Sequence, residues 1–384
     1  MVNTKKTLGL YVHIPFCLSK CAYCDFCSVS GAKGNFKRKY IKALKEDIRT
    51  QGALAEDYVI DSIFIGGGTP TTLKPRQMRS VISAIYSSFN VSPKAEFTVE
   101  ANPATVKTRY ARTLHSLGVN RVSMGLQSAN AEELSSLGRI HDLDDFKKSF
   151  AILRRAGIDN INVDIMFGIP KQTPESFLNT LKIVCSMHPE HISAYGLQIE
   201  EGTPFFEMRD TLPLPSEDEE YSMYVFASEF LREQGYQHYE ISNFALRGKQ
   251  CKHNLKYWNA REYIGVGCAA HSFFGGERIG RTEDIWQYVD AMLYGDFEDA
   301  IETNERITLS DLENEYVMLR MRLSDGVDKR EYASMFGFDF DARYAEKLKK
   351  YVDAGFVVNS GERCAFTTDG MYISNTVLSS ILEL

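Results

Sequence analysis

The sequence predicts an α/β protein built from six strands, each followed by a helix, in a parallel sheet, with an α+β module after it. Three observations predict it. Apolar, strand-like runs recur through the first 240 residues, helical stripes fill the gaps between them, and Gly or Pro stops most elements. LGLYVHIP (8–15) is the first strand and 38–55 the first helix. VIDSIFIGGGTP (59–70) is a strand running into glycines. In 75–89, Met78, Val81, Ile82, Ile85 and Phe89 make a helical stripe. EFTVEANP (96–103) is a strand stopped by proline, and the helix 109–118 ends at Gly118. RVSMGLQS (121–128) precedes the helix 143–156, which has Phe146, Phe150 and Leu153 on one face and stops at Gly157. NINVDIMFGIP (160–170) leads to the helix 174–187, and HISAYGLQIE (191–200) to the helix 218–234.

This alternation sets an expected boundary, with a core domain at 1–240 and a second module at 241–384. In the second, an amphipathic helix starts at 309–323, a helix covers 340–354, and 356–358 with 365–367 make a hairpin. That order is winged-helix-like. A winged helix suggests DNA, but a net charge of −7 opposes a general grip on phosphates, so a lid over the substrate side is the favoured reading.

The composition, 44% hydrophobic and 25% charged, excludes disorder as the main state. No apolar run approaches the roughly 18–20 residues of a membrane span. The start, MVNTKKTLGLYVHIPFC, is broken by His13 and Pro15 and does not read as a secretory signal. A cytoplasmic location is expected.

Of eight cysteines, Cys17, Cys21, Cys24 and Cys27 crowd into one loop after the first strand. This is a metal-site pattern rather than a disulfide scaffold. Zinc would use four ligands, and Cys27 could be the fourth. An iron–sulfur cluster held by three thiolates would leave one iron open to a ligand. The glycines 66–68 either let backbone approach that ligand or simply turn the chain. Glu100, Gln127 and Asp164 fall where strands end, the place where such folds bind ligands. The alternative for Glu100 is a helix cap, and for Arg139, outside any strand, a surface residue. Cys185 and Cys364 read as buried packing thiols.

C-x3-C-x2-C at Cys17, Cys21 and Cys24, followed by Gly66-Gly67-Gly68-Thr69-Pro70, resembles the radical S-adenosylmethionine (SAM) superfamily. The resemblance implies a partial (β/α)6 barrel, a [4Fe–4S] cluster on those three cysteines, and SAM chelated by its open iron. Further segments extend the likeness to the oxygen-independent coproporphyrinogen III oxidase family. They are YVHIPFC (11–17), EANP (100–103), NRVSMGLQS (120–128), LGRIH (137–141) and NVDIMFGIP (162–170). By that resemblance Tyr11 and Tyr23 lie beside the cluster and the adenine. Gly67, Gly68 and Thr69 meet the methionine end, and Glu100, Gln127, Arg139 and Asp164 hold SAM through its polar groups.

Three branches of that family compete: the decarboxylating oxidase, the haem chaperones (HemW-type) and the haem-degrading methyltransferases. The oxidase pattern has another cysteine two residues past the third ligand, where this chain has Phe26, and a longer segment before its cluster. Cys27 departs from both patterns. His253-Asn254-Leu-Lys-Tyr257-Trp258 matches the H-N-x-x-Y-W motif of the chaperone branch. It makes His253 a haem-binding residue by resemblance, with Cys251 and His271 as further candidates; a packed, hydrogen-bonded histidine is the alternative. Cys268, in GVGCAAHS (265–272), takes a place often filled by another small residue and has no assigned role.

The implied function is a haem chaperone that passes haem as cargo to respiratory or storage haem proteins. It is a haem carrier rather than a coproporphyrinogen oxidase, with no catalytic residue assigned and the question of enzymatic activity left open. The resemblance also implies a homodimer linked to the cluster, no nucleic-acid partner, and membrane contact only through acceptors. The alternative is the oxygen-independent coproporphyrinogen III dehydrogenase, acting by oxidative decarboxylation in porphyrin biosynthesis.

Overall fold

The computed structural model describes residues 6–382. Six β/α units follow one another as the sequence predicts. The strands are β1 (Lys6–Ile14), β2 (Tyr58–Gly67), β3 (Val91–Ala101), β4 (Arg121–Gln127), β5 (Asn160–Phe167) and β6 (His191–Gly196). The helices after them are α1 (Gly34–Leu54), α2 (Pro75–Ser88), α3 (Thr108–Ser116), α4 (Leu143–Arg155), α5 (Pro174–Ser186) and α6 (Glu217–Glu233). Local chemistry sets their starts. Pro75 and Pro174 open α2 and α5, where a missing N–H costs nothing. Ser216 and Glu219 form a reciprocal cap on α6, and Asp142 caps α4. The stripe Met78, Val81, Ile82 and Ile85 is buried.

The chain then adds β7 (Gln237–Glu240), β8 (Asn243–Ala245), helix α7 (Lys252–Trp258), β9 (Tyr263–Val266), β10 (His271–Phe274), β11 (Glu277–Arg281), helix α8 (Ile285–Tyr294) and β12 (Ile301–Arg306). All twelve strands form one sheet, in the order β12-β11-β10-β9-β1-β2-β3-β4-β5-β6-β8-β7. From β9 to β6 the strands are parallel. Both flanks are antiparallel. The main sheet thus runs through residue 240. A seventh parallel strand, β9, returns to pair with β1, with Tyr11 opposite Gly265. The rhythm fades after 240 because these strands are short and mostly meander.

The winged-helix-like unit starts later. Helix α9 (Leu309–Met321), strand β13 (Val327–Asp328), helices α10 (Lys329–Phe336) and α11 (Phe340–Asp353), and strands β14 (Val357–Asn359) and β15 (Arg363–Phe366) follow in turn. Its three strands pair in the order β13-β15-β14. Buried Tyr316, Tyr332, Phe336, Phe340 and Tyr344 fill its core. The buried carboxylate of Glu313 accepts from Tyr332, from Tyr344 at 3.2 Å and from Arg343 at 2.8 Å.

The two halves of the main sheet are tied at Asp47 on α1. Its carboxylate accepts from the Gly267 N–H at 2.9 Å, the Tyr288 hydroxyl at 3.0 Å and Arg281 at 3.2 Å. Both ends of the ion pair are buried, at 0% and 1% exposure. Breaking one end of such a pair leaves a buried, uncompensated charge. Asp47→Ala should therefore cost about 3–5 kcal/mol, read from denaturant unfolding; an unchanged midpoint would remove Asp47 as the tie.

Candidate functional site

β1 ends at Ile14, and Phe16–Cys17 then pairs with Val29–Ser30. The segment between is held as a loop: Val29 N–H donates to Pro15 O at 2.8 Å. The loop is pinned again at Ala22, whose N–H donates to Leu137 O (3.2 Å) and whose carbonyl accepts from Phe205 N–H (3.0 Å). Cys17, Cys21 and Cys24 are half-buried and face one cavity of about 160 Å³.

The same cavity is lined by Tyr23, Gly67, Gly68, Thr69, Glu100, Gln127, Arg139 and Asp164. These residues come from the loop, from the carboxyl-terminal halves of β2 to β5, and from the segment after Ala131–Ser136. Thr69 Oγ1 lies 3.8 Å from Cys17 Sγ. Arg139 donates to Cys21 Sγ at 3.3 Å and to Gly125 O at 2.9 Å. It is half-buried and aimed inward, so it is not the surface residue its position outside a strand allowed.

Among the described residues, the only trio of His, Cys, Asp or Glu donor atoms within 4.8 Å of one another is His13, Cys27 and Cys268. The sulfurs of Cys17, Cys21 and Cys24 are therefore not gathered as the shell of one zinc ion, with thiolates about 2.3 Å from the metal, would require. Three unpaired thiols around a cavity, spread wider than a single ion, fit the larger body of an iron–sulfur cluster.

The glycines have a reason the sequence did not show. A Cβ on Gly67 (φ +104°) would stand 2.4 Å from the His13 ring, and one on Gly68 2.9 Å from Phe16 N. Gly66 is crowded by Glu100 Oε2 at 2.8 Å. The bare backbone is needed by the protein's own packing, whatever ligand also approaches it.

Two carboxylates face this space. Glu100 accepts from Gly67 N–H at 3.0 Å, yet burial, with Asp164 adding, pushes it up to about 8. Burial also raises Asp164, against hydrogen bonds from Ser123 (3.1 Å) and Asn162 (2.6 Å). A cationic ligand would relieve both. Gln127 is buried with φ +70°, at a break in register between β4 and β5.

A second cavity of about 390 Å³ shares Tyr23, Phe26, Glu100, Ser123, Gln127 and Asp164 with the first. It continues to Arg121, Asn162, His191, Ser193, Tyr195 and Asn254. Sequence reading missed Ser123, Asn162 and Ser193. The available signal was the two-residue period: Ser123 shares a strand face with Gln127 in the unbroken pattern, and Asn162 with Asp164.

Other expected residues lie elsewhere. Tyr11 lines neither cavity; its hydroxyl meets His13 Nδ1 at 3.0 Å. His253 is buried, with Nδ1 at 3.1 Å from Ser62 Oγ and Nε2 at 2.8 Å from Tyr257 Oη. Burial pushes it down to about 3, and its ring stacks on Phe64. Cys251 is buried beside Glu96 at 3.6 Å and pushed up to about 12. His271 is exposed and borders neither cavity.

Known proteins resemble the chain along nearly all of its length. The Radical SAM superfamily model matches residues 11–184, and the HemN C-terminal domain model residues 307–373. The chain is 33% identical to the haem chaperone HemW of Bacillus subtilis over 97% of this chain and 98% of that one. It is 33% identical to that of Escherichia coli over 98% of each. A zebrafish (Danio rerio) protein, radical S-adenosyl methionine domain-containing protein 1, mitochondrial, is 30% identical over 97% of this chain and 86% of its own. The solved structure of the radical SAM enzyme coproporphyrinogen III oxidase (HemN) from Escherichia coli superimposes with a TM-score of 0.87. It is 23% identical and covers 99% of this chain and 91% of that one, a likeness of fold.

Two outcomes test the site. Cys17→Ala, Cys21→Ala or Cys24→Ala should each abolish retention of about four iron atoms per chain after anaerobic reconstitution, while Cys27→Ala retains them; iron loss on changing Cys27 would reverse the assignment. The raised carboxyl of Glu100 keeps its proton in the folded chain where the unfolded chain has lost it. Stability should therefore fall as pH rises from about 4.5 to about 8. Glu100→Gln should flatten that fall in denaturant titrations; an unaltered slope would count against the buried carboxyl.

Proposed function

The chain belongs to the HemW haem-chaperone family of the radical SAM superfamily, and from that premise we propose that it carries haem and passes it to acceptor haem proteins. The observation that carries the reading is the full-length likeness to curated haem chaperones. Phe26 supports it. At the position of the oxidase's extra cysteine stands an apolar ring, 61% exposed, on the rim of both cavities.

In this reading Cys17, Cys21 and Cys24 hold a [4Fe–4S] cluster, and Tyr23, Gly67, Gly68, Thr69, Glu100, Gln127, Arg139 and Asp164 hold SAM. When bound, such a cluster supplies single electrons and one open iron for a chelating ligand. The chain's own residues do the positioning. Arg139, fixed on Gly125 O, offers its remaining donors to a carboxylate. Asp164, oriented by Ser123 and Asn162, accepts from hydroxyl or amine groups. Glu100 can hold or release a proton near neutral pH. Lys20 and Arg139 are the cationic groups on the smaller cavity's wall.

His253, Tyr257 and Trp258 act on haem indirectly here, by shaping α7, whose Asn254 reaches the larger cavity. The proposed recipients are respiratory or storage haem proteins and the proposed setting is the cytoplasm. Among the described residues no helix is long and apolar enough to cross a membrane.

The test runs a haem titration beside a turnover assay on the reconstituted protein. We expect a stoichiometric haem complex with a shifted Soret band, and no decarboxylated product from coproporphyrinogen with SAM and a reductant. Turnover at a catalytic rate without haem binding would replace the chaperone with the oxidase.

A further inference from the structure

Two cysteines that depart from the family's sequence patterns, Cys27 and Cys268, meet in space although 241 positions separate them. Their sulfurs and a ring nitrogen of His13 lie within 4.8 Å of one another. Cys27 is half-buried at the end of the cysteine loop, its sulfur 3.3 Å from Glu283 O. Cys268 is fully buried on the turn after β9.

That turn is rigid. Gly267 (φ +105°) admits no Cβ, which would stand 2.8 Å from His13 O, and Ala269 is left-handed at φ +55°. Cys268 N–H donates to the Tyr40 hydroxyl at 3.2 Å, and that hydroxyl donates to His13 O at 2.8 Å. One sulfur is thus held on a buried turn and the other sits on a loop.

A metal ion does not suit the trio. His13 Nε2 is 2.9 Å from Cys27 O, a carbonyl that can only accept, so Nε2 carries the proton. Nδ1 then accepts from the Tyr11 hydroxyl at 3.0 Å. Both nitrogens are used inside the fold. Two sulfurs remain, fewer than the three or four protein donors of a zinc site.

We propose that Cys27 and Cys268 form a redox-active dithiol that exchanges with small-molecule disulfides, a thiol centre separate from the three cysteines of the cluster loop. The two sulfurs differ in the manner such exchange uses. The hydrogen bond with Cys268, then His13, lowers the Cys27 thiol below the usual thiol range, while the same contact and burial raise Cys268. The remaining buried thiols, Cys185, Cys251 and Cys364, are pushed up to about 12 by burial and have no such partner.

Cys27 thiolate attacks a disulfide RSSR, forming Cys27–S–S–R and releasing RS⁻. Cys268 then attacks the Cys27 sulfur, the Cys27–S–S–R bond breaks, and the second RS⁻ leaves. The two protons of the thiols go to the two RS⁻ groups. Two electrons pass from the protein to RSSR, which leaves as two RSH. The product ties the end of the cluster loop to the turn after β9.

The test uses full-length, anaerobically reconstituted protein with glutathione disulfide as the probe, and does not depend on haem binding. The intact mass should fall by two hydrogens per chain, with one Cys27–Cys268 linked peptide, reversed by dithiothreitol while iron is retained. Cys268→Ser should instead trap a glutathione adduct on Cys27, and Cys27→Ser, at the half-buried position, should show neither product. A persistent adduct on the native chain, a link among Cys17, Cys21 and Cys24, or no reaction would overturn the proposal. So would stoichiometric Zn²⁺ binding lost on either serine change, which would make the trio a metal site.

Discussion

The buried carboxylate of Asp47 organises the base of the site. Asp47 and Tyr40 are two turns apart on α1, so they share a face. Asp47 holds Gly267, Arg281 and Tyr288. Tyr40 holds His13 O and Cys268 N–H. His13 in turn holds Cys27 and crowds Gly67. Through this chain of contacts β9 is locked beside β1, and the cysteine loop is anchored over the ends of the parallel strands. A buried ion pair gains little net stability over an apolar core; what it supplies here is register between segments more than 200 residues apart.

The inner face of the parallel strands carries the opposite cost. Parallel strands in a covered sheet are usually apolar on both faces. Here Ser123, Asn162, Asp164, His191 and Ser193 form a continuous polar network. Asn162 bonds to Ser123, Asp164, Ser193 and His191, and His191 to Tyr239. Burying such groups is tolerable because most are paired. Glu100 and Asp164 are paired as well, yet burial still raises both carboxyls.

The cysteine loop and the wing divide the labour differently. The loop has little apolar core of its own and is held by backbone bonds at Ala22 and Val29. The wing has an aromatic core around Tyr332 and a buried Glu313 with three partners. A larger cleft of about 810 Å³ lies where the wing meets the sheet edge. It is lined by Arg232, His238, Arg320 and Met371 and by none of the cysteine-loop residues. The chemistry of the cysteines is thus kept apart from the wing.

The sequence alone determined the six β/α units, the winged-helix order and the three-cysteine loop, because period, capping and spacing are local properties. It also marked Glu100, Gln127 and Asp164, since strand ends are where such sheets bind ligands. Arg139 was legible only through likeness to a family, because nothing local says whether a loop arginine points in or out. The β9 return, the Asp47 tie and the meeting of Cys27 with Cys268 were not legible, because each joins residues separated by long stretches of chain. His253 shows the same limit from the other side. Its motif left a haem contact and a packed, hydrogen-bonded ring both open, and the partners on its two nitrogens, Ser62 and Tyr257, are set by the fold. Only the tertiary structure decides which polar atoms are already satisfied, because hydrogen-bond partners are chosen by packing rather than by neighbours in sequence.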